Sequence, residues 1–365
     1  MKYLRTAHPR AFQGKTILLR LDFNTQGEWR MEAAIRTIKF LLKFKTKIVI
    51  ASHRGRPKGV EKQLSLGKDA RNLGAFLKER VHFLPQFRFG KIKKTVAKAP
   101  LGSLFLLENL RFLGGEERND TKLGRQLAEL VDVYVNDAFA VCHRADASVV
   151  AVTKYLPSYA GLELEREMES LSRVLRKPKR PLVVILGGAK AHDKLGVLRC
   201  FRRKAEWFLL GGAPANTMLF LRGMDVKDSV ADKDPKDLER LKKVLSFRNV
   251  VLPIDYKFAE RKILDVGENT IRSFISRIRL ARTIIWSGPL GLIEREPYGR
   301  ATLEVAKAVV ANRKAYSVVG GGETVGLLKK YSLDKKINFI STGGGAMLDF
   351  LAGEKLPGIE ALKRR

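Results

Sequence analysis

A rhythm constrains this chain more than any other feature: short runs of β-branched and apolar residues recur, each ending in Gly, Asn, Asp or Ser and followed by a stretch of helical character. Strands joined through helices return to the same edge and run in the same direction, so the alternation predicts parallel sheets covered by helices. Residues 16–23, 47–52, 103–108 and 131–136 are such runs, and the rhythm resumes at 182–186, 207–210, 250–254, 283–286, 315–319 and 337–341. Between the two series, residues 160–177 carry Leu162, Met168, Leu171 and Leu175 near helical spacing until Pro178 and Pro181 stop the pattern. At 365 residues the chain exceeds what one hydrophobic core usually serves. The expectation is an α/β protein of two Rossmann-like lobes, each a parallel β-sheet flanked by helices, joined by an interdomain helix. The lobes are expected at residues 1–160 and 161–347, with a cleft between them.

Composition excludes several classes. An apolar fraction of 45% and an aromatic fraction of 8% are those of an ordinary globular protein. No apolar run approaches the roughly 20 residues of a membrane span, and residues 1–14 lack the apolar centre of a secretory signal. Cys142 and Cys200 are too few for a disulfide framework and have no metal-ligand spacing with the five histidines, so a reducing, cytoplasmic location is expected. The charge is +32, from 70 Lys and Arg against 38 Asp and Glu, and a surface so positive attracts polyanions, phosphorylated metabolites and nucleic acid alike. The basic clusters at 91–98, 173–180 and 199–204 are not interleaved with the aromatic residues that single-strand binding uses. A solvated basic surface is the simpler account of them.

Ligands of open parallel sheets sit beyond the carboxyl ends of the strands. There the two halves differ. The first series of strands ends in Asp22 and Asn24, His53 and Arg56, Asn109 and Arg111, and Asn136 and Asp137 followed by His143 and Arg144. Guanidinium groups match phosphate and carboxylate oxygens, so Arg30, Arg56, Arg111 and Arg144 beside His53 point to a small, multiply anionic ligand, although any one of them alone reads as a surface arginine. The second series ends in glycines: Gly187-Gly188 with Lys190 and Lys194, Gly211-Gly212, Gly288, Gly320-Gly321-Gly322 and Gly343-Gly344-Gly345. Glycines before a helix let amides approach phosphate, although an isolated pair more often serves a tight turn. Neither a Walker A sequence nor a G-x-G-x-x-G fingerprint is present, so the nucleotide mode is a different one.

These motifs, taken together, resemble the phosphoglycerate kinase family almost end to end. The matching stretches are LRLDFN (19–24), SHRGRPKG (52–59), LLENLRF (106–112), GEERND (115–120), VNDAF (135–139) and HRADAS (143–148), then KRPLVVILGGAKAHDKLGV (179–197), IIWSGPLG (284–291), VVGGGET (318–324) and ISTGGGAMLDFLAGEKLPGIEAL (340–362). The resemblance implies that Asp22, Asn24, Arg30, His53, Arg56, Arg111 and Arg144 hold the phosphoglycerate and its acyl phosphate. It implies that Lys190 and Arg30 stabilise the migrating phosphoryl group and that the helix opened by Gly344 and Gly345 cradles it. It implies a nucleotide site of Gly188, Lys190, Lys194, Gly211, Gly212, Ser287, Pro289, Glu294, Gly321, Gly322, Glu323 and Thr324, with Glu323 toward Mg2+ and Glu294 toward the ribose. The reaction implied is reversible transfer between 1,3-bisphosphoglycerate with ADP and 3-phosphoglycerate with ATP, the glycolytic and gluconeogenic step, by a cytoplasmic monomer whose cleft closes on its ligands. A C-terminal segment, 348–365, is implied to pack back on the first lobe.

The sequence departs from the family at several of these positions. Glu323 stands where the family carries Asp, Ser287 where it carries Asn, Ala213 and Pro214 where it carries Gly and usually Met, and His192 where it carries a small residue. The loop before Arg30 and the segment between Glu260 and Ile271 are shorter. Two other functions suit the same residues: a catalytically weakened binding protein on this fold, and a basic nucleic-acid-associated protein, whose binding would fall steeply with salt.

Overall fold

The structure, a computed structural model, describes residues 1–25 and 27–363. It divides into two compact units, Met1–Met168 with Lys355–Arg365, and Glu169–Glu354.

The first unit is built on strands β1 (Thr16–Arg20), β2 (Lys47–Ala51), β3 (Val81–Leu84), β4 (Leu104–Leu107), β5 (Val133–Asn136) and β6 (Ser158–Ala160), in the order β3-β4-β2-β1-β5-β6. All neighbours are parallel. Burial on both faces requires near-continuous apolar strands, and Ile17, Leu19, Ile48, Ile50, Leu104, Leu106, Val133 and Val135 all enter one core. β3 and β6 are additions to the expected strands. β3 is only partly buried, with His82 interrupting its apolar run, and β6 has three residues.

The second unit holds β7 (Leu182–Leu186), β8 (Trp207–Leu210), β9 (Val250–Val251), β10 (Tyr256–Ala259), β11 (Lys262–Val266), β12 (Thr283–Ser287), β13 (Tyr316–Gly320) and β14 (Phe339–Ile340). Six of them form a parallel sheet in the order β14-β13-β12-β7-β8-β9. β10 and β11 form a separate antiparallel hairpin. Its turn residues, Glu260 and Arg261, both have positive φ, where Asn-Gly or Asp-Gly is the usual signal, so the sequence carried no cue for it.

The helix expected at 160–177 spans Leu162–Arg176. The division of the chain falls inside it, beyond the expected 160/161. Its first turn is tied to the first unit, because Asp137 Oδ1 accepts the Glu163 and Leu164 amides at 2.9 and 3.0 Å. Its last turns belong to the second unit: Arg173 lies over the Tyr316 ring at 3.9 Å and Lys204 Nζ donates to the Leu175 carbonyl at 2.7 Å. The return to the first unit also comes later than residue 348. The helix Gly344–Leu351 buries Met347, Leu348 and Leu351, and a Cβ on Gly196 would stand 2.5 Å from Ala352 Cβ, so this helix packs within the second unit. Only the helix Pro357–Lys363 joins the first, with the Gly358 amide donating to the Cys142 carbonyl at 2.9 Å.

Candidate active site

Beyond the carboxyl ends of β1, β2, β4 and β5, the first unit gathers an arginine field around one histidine. Asp22, two residues past β1, accepts from Arg30 Nη1 at 2.5 Å, and the same nitrogen donates to the Asn24 carbonyl at 3.0 Å. Asn24 Oδ1 takes the Gly55 amide at 2.9 Å and so ties the loop after β1 to the loop after β2. Asn109 continues the chain of loops, with Oδ1 accepting from the Arg54 amide at 3.2 Å and Nδ2 donating to the Arg54 and Leu64 carbonyls. Arg111 donates to the Gly55 carbonyl and pairs with Glu117 at 3.2 Å.

His53 stands at the centre. Burial, then the charges of Arg20, Arg111, Arg144 and Arg30, hold its pKa well below the usual histidine range, so the ring is neutral. Its Nδ1 faces Arg20 Nη2 at 3.2 Å, and a guanidinium has only protons to give. Nδ1 therefore accepts and the ring proton is on Nε2. That Nε2 is buried without a partner, as are Arg30 Nε and Arg111 Nε. All three are N–H donors. Buried donors are rarely left without acceptors, so this arrangement is prepared for an anion rich in acceptor oxygens.

Arg20 itself was not among the expected site residues. It is the last residue of β1, fully buried, bonded through Nε to Ser148 Oγ at 2.8 Å and lying 3.9 Å from Glu116. A charged residue inside the apolar run ILLRL was the only sign of it. Arg56 is the converse case: it stands exposed on the loop after β2 and is not among the largest charges acting on His53.

In the second unit the strand ends are backbone rather than side chain. The Gly187 amide donates to the Ser287 carbonyl at 2.9 Å, Gly188 to Pro289 at 2.7 Å, Gly212 to Leu290 at 2.9 Å and Ala213 to Gly188 at 2.9 Å. These loops touch so closely that a Cβ on Gly187 would lie 2.0 Å from the Pro289 carbonyl oxygen, and one on Gly288, at φ +89°, 2.3 Å from that of Gly187. Close packing of adjacent turns therefore explains this set. Gly322 differs, because a Cβ there would meet nothing within 4 Å. The helices Gly212–Leu221, Gly322–Lys330 and Gly344–Leu351 all begin without a side-chain cap, which leaves their first amides to other partners.

A groove of about 250 Å³ runs past Gly188, Gly212, Ala213, Pro289, Leu290, Glu294 and Glu323. Its opposite wall is Tyr256, Ile263, Leu264 and Asp265 from the β10–β11 hairpin, together with Asn216, and none of these was expected. Beside the groove Lys194 is buried, and burial lowers its pKa while Asp193 and Glu323 raise it and Lys190 lowers it further. Burial and the charge of Glu294 push the Glu323 carboxyl up, against Lys194. The Thr324 Oγ1 atom is buried without a partner. Lys190 is exposed, and the turn His192–Lys194 precedes the helix Leu195–Phe201, so the two lysines do not share a helix face. Ser287 ends β12 buried, its Oγ 3.8 Å from where a Gly321 Cβ would be. Pro214 sits in the first turn of Gly212–Leu221, where a missing amide proton costs nothing.

An arginine field beyond one parallel sheet, and helix termini without side-chain caps beyond another, suit an α/β enzyme of phosphorylated ligands. Known proteins narrow the class. The family model for phosphoglycerate kinase matches residues 8–354. A phosphoglycerate kinase of Pelotomaculum thermopropionicum is 39% identical over 380 residues, covering 96% of both chains, and one of Moorella thermoacetica is 38% identical over 381. Among solved structures, phosphoglycerate kinase from Pyrococcus horikoshii OT3 matches with a TM-score of 0.88 at 30% identity, covering 100% of this chain and 98% of that one. The enzyme from Coxiella burnetii matches at 0.82 and 32%, over 100% and 99%. The chain belongs to the phosphoglycerate kinase family.

Proposed function

We propose that the chain catalyses reversible transfer of a phosphoryl group from 1,3-bisphosphoglycerate to MgADP, giving 3-phosphoglycerate and MgATP, through the residues described above. The observation that carries the substrate half of this reading is the set of three buried, unpartnered N–H donors on His53, Arg30 and Arg111. Asp22, Asn24, Arg144 and the exposed Arg56 complete the phosphoglycerate site. Neutral His53 binds by donating from Nε2 and does not act as a base.

In the transfer, the bond from the acyl oxygen to phosphorus breaks as a bond from the ADP terminal oxygen forms, and negative charge spreads over three equatorial oxygens. Arg30 and Lys190 are assigned to that charge, with the amides of Gly344 and Gly345 at the start of Gly344–Leu351, which no side chain caps. Lys194, Gly321, Gly322 and Thr324 hold nucleotide phosphates, Thr324 through its unpartnered hydroxyl. Gly211 and Gly212 border the base, Ser287 stands beside the migrating phosphoryl group, Gly188 and Pro289 complete the nucleotide site, and Glu294 takes the ribose hydroxyls. Glu323 fits the magnesium of the nucleotide, being an exposed carboxylate on the wall of the groove whose charge acts on Lys194, and the ion would neutralise phosphate charge when bound. We assign the chain to the cytoplasm as a monomer; both cysteines are free thiols, which suits a reducing compartment. Among the described residues no helix is long and apolar enough to cross a membrane. Nucleic acid binds only nonspecifically in this reading, and salt titration of duplex DNA checks it: binding that survives physiological salt would contradict it. A coupled assay of ATP- and 3-phosphoglycerate-dependent turnover by the purified chain tests the main reading, and absence of turnover by folded protein would refute it.

A further inference from the structure

We propose that His192, Asp232 and Asp237 form a binding site for a divalent transition ion of the zinc class, tying the loop of Lys190 and Lys194 to the start of the helix Pro235–Lys242. The three side chains each offer one ligand atom, all within 4.8 Å of one another. His192 Nδ1 lies 3.0 Å from Asp232 Oδ2 and 3.7 Å from Asp237 Oδ2. Nitrogen and oxygen ligands about 2.0–2.2 Å from a tetrahedral zinc ion stand about 3.3–3.6 Å apart, so the two observed edges bracket the required one.

The other ring nitrogen supports this assignment. His192 Nε2 lies 3.0 Å from Asp193 Oδ1, the outer carboxylate that a metal-bound histidine commonly has. With an ion bound, that contact takes the ring proton on Nε2 and leaves the Nδ1 lone pair to the ion. Each carboxylate is also held in place: Asp232 Oδ2 accepts the His192 backbone amide at 2.6 Å and keeps a further lone pair for the ion, and Asp237 Oδ1 faces Arg240 at 3.8 Å, leaving Asp237 Oδ2 for the ion. His192 remains 42% exposed, so water can fill further coordination positions. One imidazole with two carboxylates suits zinc, whereas magnesium prefers an all-oxygen octahedron that keeps several waters. The binding claim is independent of the kinase reading; only its consequence, that the ion restrains the Lys190–Lys194 loop beside the groove, rests on it.

Isothermal titration of ZnCl2 into the full chain, stripped of metal by chelator and kept in millimolar Mg2+, tests the site. One equivalent should bind, with His192→Ala and Asp232→Asn each weakening affinity more than tenfold and Asp193→Asn weakening it by roughly tenfold. Zinc should also raise the melting temperature of the parent and not that of His192→Ala, with all variants checked for folding by melts in chelator. A parent that takes up no stoichiometric zinc, or that loses none of its affinity in His192→Ala, overturns the site and leaves His192 as a hydrogen-bonding partner of the surrounding carboxylates. Heat of binding needs no turnover, so a catalytically inactive chain would still show whether zinc binds there.

Discussion

Replacing Arg20 by Met removes a guanidinium from a place where nothing else can compensate its absence. Arg20 and Glu116 are both fully buried, and Glu116 also accepts from the Ser148 amide at 3.0 Å and from Ser148 Oγ. Burial pushes the Glu116 carboxyl up, and the charge of Arg20 is the largest influence holding it down. Met keeps the apolar volume of the stem but leaves Glu116 enclosed without a cation. Breaking a buried pair in this way costs about 3–5 kcal/mol. In a domain of about 150–250 residues that lowers the melting temperature by roughly 6–20 °C. The loss should depend on pH with a definite sign. With Arg20 gone, Glu116 titrates still further above its unfolded value, so the deficit is full at neutral and alkaline pH and shrinks as pH falls toward that value. Differential scanning calorimetry of the parent, Arg20→Met and Arg20→Met with Glu116→Gln would decide it. The second substitution should recover at least half of the loss, because no buried charge then remains. A deficit below about 1 kcal/mol, or one that Glu116→Gln does not reduce, would refute the reasoning.

Lys190→Met should lower kcat by about 10²–10³-fold with small changes in either KM, since its ammonium acts on charge that develops during transfer. Lys194→Met should instead raise mainly the nucleotide KM; steady-state kinetics at matched ionic strength separates the two, and near-parental kcat in Lys190→Met would remove its role. Glu323→Asp should keep activity within about tenfold while Glu323→Ala loses ~10²-fold or more, measured across a magnesium titration. For Glu163, burial, then Glu167 and Asp137, push the carboxyl from 4.5 up to about 8. Its favourable contribution is therefore present below pH 4.5 and lost as pH rises toward 8. Urea melts at pH 5 and pH 9 should find Glu163→Gln gaining roughly 3–5 kcal/mol on the parent between them; parallel pH profiles would contradict the assignment.

What the sequence determined by itself is what local pattern can encode. An apolar run such as Leu182–Leu186 can be satisfied only with both faces covered, and this run is fully buried in a sheet centre. Glycines at strand ends were legible for the same reason, since turn and helix-start chemistry lies within a few residues. Arginines near the carboxyl ends marked one half of the chain as anion-binding. The hairpin Tyr256–Val266 was not legible, because Glu260 and Arg261 carry no turn signal and, apart from Asp265 and Val266, its side chains are only partly buried or exposed. Tertiary structure alone decided which charged groups meet. Arg20 is 128 residues from the Ser148 hydroxyl it bonds, and His192 is 40 from Asp232. It also decided that Arg20 is the largest charge pressing on His53, and that the chain changes units inside a helix. Contacts of that range follow from the order in which strands stack, and in a parallel sheet that order places distant segments side by side in a way no local spacing records.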